Sequence, residues 1–237
     1  MVLRLFVIFL INIHLFLYND YCDKEEDAKD ILKNERNFFC HRQDSINYRI
    51  AMTLLFFIPI LSLLITVVFD LTFLLYVVLG FFMCFIYSNQ KVRIKSKPVL
   101  DMVLHGIWPV YLLLPFVLDA ERLSSKIRSF IIMIVFWNSV ITQMAGQIRD
   151  YLIDKKNKIR NTIQLFTQNK AKKILKSNFI LMNLFLIIVL FLFGQFFSGG
   201  LIIFLTILTL KYQLTIKTFL RYRLIMVTII LFNYLIF

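Results

Sequence analysis

The feature that most constrains this chain is a series of apolar runs almost free of charge, each about as long as a bilayer is thick. A hydrocarbon core of about 30 Å is crossed by roughly 20 mainly apolar residues in a helix. Only helices and closed barrels satisfy their own backbone hydrogen bonds there. Such runs occupy about 1–18, 50–69, 71–88, 99–118, 129–146 and 179–198. A seventh follows at about 199–216, with Lys211 near one end and within snorkelling reach of the headgroups, and a shorter eighth at 224–237. With 59% of the 237 positions hydrophobic and 17% charged, the chain has more apolar surface than one water-soluble core can take in. The expectation is an all-α, multi-span transmembrane helical bundle of about eight helices, a single domain over 1–237.

Arg4 followed by an apolar stretch is also how a signal peptide begins. Tyr18-Asn19-Asp20-Tyr21-Cys22 offers no small-residue cleavage site, however, so the first run reads as a helix that stays. Cys22, Cys40 and Cys84 are too few and too scattered for a disulfide framework, and Cys40-His41 has no spaced second pair for zinc.

With eight spans, alternate loops share a side: 19–49, 89–98, 148–178 and the junction at 211–223. Of the 27 Lys and Arg, 23 fall in these four segments; Arg4, Arg122, Lys126 and Arg128 lie elsewhere. By the positive-inside bias these loops face the cytoplasm and the N-terminus faces out. That accounts for the net charge of +13 without nucleic acid. A basic rim of this kind also attracts membrane lipids with anionic headgroups, or a phosphorylated ligand.

Topology alone does not explain the acids. Six of the 14 lie between 20 and 30, where the first span leaves the membrane. If the helix continues, the spacings of three and four put Asp20, Asp23 and Asp27 on one face. Taken alone, this is equally a solvated acidic segment. Asp150 and Asp154 are the only acidic residues after Glu121, and they stand in a strongly basic loop. Their spacing of four again makes one face, which Gln143 and Gln147 continue back into the preceding span. The plain alternative is a pair of carboxylates neutralising Arg149, Lys155, Lys156 or Lys158. Two such clusters on one side of a membrane suit Mg2+, a hard ion that bridges a few carboxylates to ligand phosphates, with a diphosphate between them.

Three stretches together resemble the UbiA superfamily of intramembrane prenyltransferases. Asn19-Asp20-x-x-Asp23-x-x-x-Asp27 matches that family's NDxxDxxxD pattern at every defined position. Asp150-Tyr151-x-x-Asp154, trailed by Arg160 and Thr162, is similar to its DxxxD segment. Tyr87-Ser88-x-x-x-x-Arg93-x-Lys95 is close to its YSxPPxRxK loop, with Gln90 and Lys91 where the prolines stand. The resemblance implies a helical bundle in which Asp20, Asp23, Asp27, Asp150 and Asp154 are catalytic carboxylates that bind Mg2+. It also implies that Arg93 and Lys95 contact the diphosphate of a prenyl donor, and that Asn19 and Tyr87 position donor or ligands. Arg36 falls where the family places a basic residue before a proline, although Asn37 follows it here. A lipophilic acceptor, often aromatic, enters the same chamber.

Family members usually carry nine spans, one of them before the first Asp motif, and only 18 residues precede Asn19 here. The first family helix is therefore expected to be missing, or the stated start to be internal, and a truly absent helix would call for a partner chain. Lys158 stands where the family often has Gly. The functions expected are Mg2+-dependent transfer of a polyprenyl group to an aromatic acceptor in a cytoplasmic (inner) membrane, a membrane terpene cyclase of the same fold, or a non-catalytic partner or transport protein. His14, His41 and His105 form no site, and Asp101 reads like His105, as a group at the end of its span.

Overall fold

Long helices arise where the apolar runs lie, because inside a bilayer each backbone group must find its partner within the segment. The computed structural model describes residues 2–119, 124–156, 159–192 and 194–211. Among these, six helices are long and apolar enough to cross a membrane, and the protein is an integral membrane protein. The described residues divide into two compact units, 1–95 and 96 onward.

In the first unit, α1 (Val2–Asp27) packs against α3 (Ile46–Phe69) and α4 (Leu74–Ser88), which pack on each other. The first run thus does not stop at 18; its helix continues through the acidic residues, as the shared-face reading requires. A short α2 (Ile31–Arg36) and a 3-10 turn at Phe38–Cys40 fold back on the end of α1. Phe39 is the buried plug there, packed with Ala51, Leu55, Tyr18 and Tyr21. Ser45 caps α3 by accepting from the Tyr48 amide at 3.3 Å. Phe56, Phe57, Ile60, Leu64 and Val68 of α3 stay exposed, the face such a helix offers to lipid. At the other end of α1, Arg4 Nε donates to Asp70 Oδ2 at 2.7 Å. Thr72 adds a 2.6 Å bond to the same carboxylate.

In the second unit, α5 (Leu100–Asp119) packs on α6 (Ser125–Arg149), α6 on α8 (Gln168–Leu192), and α8 on α9 (Phe196–Lys211). A short α7 (Tyr151–Lys156) sits between α6 and a 3-10 turn at Ile163–Leu165. Gly106 permits close approach of α5 to α6: a Cβ there would lie 2.6 Å from the Phe136 ring.

The later span limits need correcting. The helix expected at 179–198 runs Gln168–Leu192, because the turns bearing Lys170, Lys172, Lys173 and Lys176 are helical although charged. It stops early at Gly194 (φ +74°). There the Gly194 amide reaches Phe191 O at 3.0 Å and the Gln195 amide reaches Leu190 O at 2.8 Å, a left-handed glycine cap. The seventh run is helical over Phe196–Lys211. Its remainder and the eighth run, 224–237, lie outside the described residues.

Candidate functional site

The end of α1 presents Asn19, Asp20, Asp23, Glu26 and Asp27 in its last turns. Asn19, Asp20, Asp23 and Asp27 line a cleft of about 250 Å³ together with Lys33, Arg36 and Asn37. Five residues expected from the sequence therefore share one hollow, Arg36 among them. Asn37 makes this possible. It is buried, and its Nδ2 donates to Asp20 O at 2.8 Å and to Asp27 Oδ2 at 2.9 Å. Its Oδ1 accepts from the Phe39 amide at 2.9 Å. Where the resemblance would put a proline, an asparagine ties α2 to α1 by hydrogen bonds. Sequence reading missed it, although a polar residue beside the aromatic pair Phe38-Phe39 is a turn signal.

The loop after α4 closes over the same carboxylates. Asn89 shapes it: its Oδ1 accepts from the Lys91 amide at 3.0 Å, and its carbonyl accepts from Val92 N at 3.1 Å and Arg93 N at 2.7 Å. Arg93 takes the left-handed conformation, φ +40°. An Asx turn and one positive φ thus do the bending expected of the absent prolines. The loop docks through Asn89 Nδ2 to Tyr18 Oη at 3.1 Å and Gln90 Nε2 to Cys22 O at 3.2 Å.

Its two basic residues then meet the acids. Arg93 Nη2 donates to Glu26 Oε2 at 2.5 Å and to Asp23 Oδ1 at 3.3 Å. Lys95 Nζ donates to Asp23 Oδ2 and to Asn19 Oδ1 at 2.8 Å. Ser88 Oγ adds a 3.0 Å bond to Asn19 Oδ1. Lys95 and Asp23 are largely shielded, with side chains 13% and 16% exposed. Asp27 receives Lys33 Nζ at 3.9 Å. Tyr87, half-buried in the last turn of α4, is not among the residues lining the cleft.

The second carboxylate segment lies in the other unit. Asp150 caps the break between α6 and α7, and one helical bond, Asp154 N to Asp150 O at 2.9 Å, preserves the expected turn. Arg149 grips Asp150 through Nε at 2.6 Å and Nη2 at 2.8 Å. Asp154 is buried and accepts from Asn161 Nδ2 at 2.9 Å. Gln147 is buried as well, and its Nε2 donates to Asp101 Oδ2 at 2.6 Å. Asp101, which sequence reading set aside, is fully buried. Among the described residues, no three Asp, Glu, His or Cys side chains stand close enough to hold a metal ion as they are.

No curated protein matches the sequence. Two solved structures share the fold, each of a UbiA homolog from Archaeoglobus fulgidus. One, bound to GPP and Mg2+, has a TM-score of 0.70 and 18% identity over 99% of this chain and 87% of its own. The other, bound to DMAPP and Mg2+, has a TM-score of 0.62 and 18% identity over 100% of this chain and 76% of its own. The family model described as the UbiA prenyltransferase family matches residues 1–224, a stretch that holds both carboxylate segments and the loop of Arg93 and Lys95. The chain belongs to the UbiA prenyltransferase family.

Proposed function

We propose that this chain transfers a polyprenyl group, within the membrane, from a prenyl diphosphate to a lipophilic aromatic acceptor, with Mg2+ as cofactor. The observation that carries the reading is one cleft gathering Asp20, Asp23 and Asp27 with Lys33 and Arg36, beside an Arg93 and Lys95 already set against Asp23. Oxygen-only donors of this kind are the chemistry Mg2+ selects. The prenyl diphosphates and Mg2+ held by the two Archaeoglobus fulgidus homologues support the same donor and ion here. Asp20, Asp23, Asp27, Asp150 and Asp154 hold the ions, directly or through water. Bound Mg2+ supplies charge neutralisation to the departing diphosphate.

The chain's own part is electrostatic and positional. Arg93, Lys95 and Arg36 meet the diphosphate oxygens as the donor's C1–O bond breaks and its electron pair leaves with phosphate. Asn19, held by Ser88 and Lys95, and Tyr87 orient the donor. An acceptor carbon forms the new bond to C1 and then loses its proton. One membrane domain does this, with the aspartate loops on the cytoplasmic side, a placement supported by the crowding of Lys and Arg there.

Purified protein given labelled prenyl diphosphate, Mg2+ and candidate acceptors should yield lipid-soluble product. Asp20→Ala and Asp150→Ala should each lose about 100-fold or more of it. Undiminished product from either variant overturns the assignment of that segment. Hydrocarbon formed without acceptor would indicate cyclisation instead, and tight diphosphate binding without turnover a non-catalytic role.

A further inference from the structure

A carboxylate taken fully out of water is costly unless donors meet its lone pairs. Asp101, in the first turn of α5, is 0% exposed, and four donors surround it. The Met102 amide reaches Oδ1 at 2.8 Å. Gln147 Nε2 reaches Oδ2 at 2.6 Å and the Thr162 amide reaches Oδ2 at 2.9 Å. The Thr162 hydroxyl donates to Oδ1. None of these donors is charged, so the group is held by geometry. The Thr162 oxygen accepts from the Val99 amide at 2.7 Å, which commits its one proton to Asp101. Gln147 Oε1 accepts from the Ile163 amide at 3.3 Å. Residues 162 and 163 are thereby hooked to α5 and α6.

The next residue back carries the effect onward. Asn161 is 3% exposed. Its Oδ1 accepts from the Gln164 amide at 3.0 Å, so its Nδ2 points the other way, to Asp154 Oδ2 at 2.9 Å. Gln164 Nε2 closes on Tyr151 O at 2.8 Å, and Tyr151 Oη donates to Phe166 O at 3.0 Å. Segment 159–166 is a clasp on α7, fastened near its middle, at Thr162, by Asp101.

We infer that Asp101 is a positioning residue for the second carboxylate segment: it fixes Thr162, the adjoining Asn161 is fixed with it, and Asn161 sets the direction of the Asp154 carboxylate. The inference rests on the proposed role of Asp154 as a Mg2+ ligand. It adds to that reading a residue outside the aspartate segment, on another helix, through which the segment's aim is set.

The test uses the full chain in lipid nanodiscs, with Mn2+ as a paramagnetic probe titrated in the presence of inorganic pyrophosphate and bound ion read by EPR. Asp101→Asn keeps the size but turns an amide N–H toward donors, and Thr162→Val removes the hydroxyl while keeping the shape. Both should weaken Mn2+ binding about 10-fold or more and raise the Mg2+ concentration for half-maximal turnover in parallel. Thr162→Ser restores the hydroxyl and should bind within about twofold of the parent. Because Asp101→Asn risks misfolding, Thr162→Val and Thr162→Ser, compared at matched melting temperature, decide the matter. Parent-like binding by a folded Thr162→Val, or no recovery in Thr162→Ser, overturns the inference. Asp154→Ala runs alongside. If it loses Mn2+ while Thr162→Val does not, the positioning role alone fails; if Asp154→Ala binds like the parent, the ligand role and the positioning role fail together.

Discussion

Asp23 is met by an ammonium and a guanidinium, Lys95 and Arg93, whereas Asp154 is met by the neutral amide of Asn161. Both carboxylates are shielded from solvent. In the first unit opposite charge balances the acid, and the clamp is a loop with its own left-handed residue. In the second, the buried amide of Asn161 meets the acid, and Arg149 places two bonds on the neighbouring Asp150. A charge-paired site depends on the acid's charge, while an amide-held site depends on its shape and its acceptor atoms. The same substitution should therefore have unlike consequences in the two places.

The largest divergence is expected between Asp23→Asn and Asp154→Asn. The first leaves the shielded Lys95 without its counter-charge, while Arg93 keeps Glu26, and should cost about 2 kcal/mol or more. The second keeps an acceptor for Asn161 and should cost about 1 kcal/mol or less. Thermal melts in detergent would check this, and equal losses would remove the distinction. The next effect sets the two asparagines against each other. Asn37→Ala frees Asp20 O and Asp27 Oδ2 and should cost about 1–2 kcal/mol, with faster tryptic cleavage at Lys33 and Arg36. Asn161→Ala should cost as much while leaving those cleavages unchanged. If Asn161→Ala opened the first unit to trypsin, the two segments would not be independently held.

The smallest effect belongs to a partly exposed pair outside both segments. Arg4 and Asp70 are 31% and 23% exposed, so Arg4→Ala should cost about 1 kcal/mol or less. The hydrogen bond from Arg4, then that from Thr72, holds the Asp70 carboxyl below the usual carboxylate range. A lowered folded-state value means the contribution is complete above about pH 4 and fades as pH falls through the lower value. Arg4→Ala should therefore differ from the parent near neutrality and converge with it in acid; melts across that range would show a constant gap if Asp70 is not the partner.

The helical architecture and the aspartates were legible because both depend on local spacing. Apolar runs long enough to cross a bilayer leave the backbone few choices, and residues 20, 23 and 27 fall on one face of any helix that continues through them. The limits of α8 were not, since absence of charge marks where lipid begins and a helix is free to extend past that. Gly194 was the local signal for its end. Asn37, Asn89 and Asp101 escaped for a different reason. Each acts through partners supplied by the fold, Asp101 through Gln147 and Thr162, 46 and 61 positions away. Asp101 and Gln147 do share one hint: each is a polar group at the end of an apolar run, and such groups seek one another.

Arg4 and Asp23 are fastened near opposite ends of the same helix, one to Asp70 and the other to Lys95 and Arg93. Nineteen residues of helix separate them, about 28 Å along the axis, close to the thickness of a hydrocarbon core. A helix tied at both boundaries breaks both contacts if it slides by a turn to suit a thinner or thicker membrane. The span between the two contacts is then a preferred dimension of the polypeptide, and where the lipid does not match it, the helix tilts or the lipid deforms.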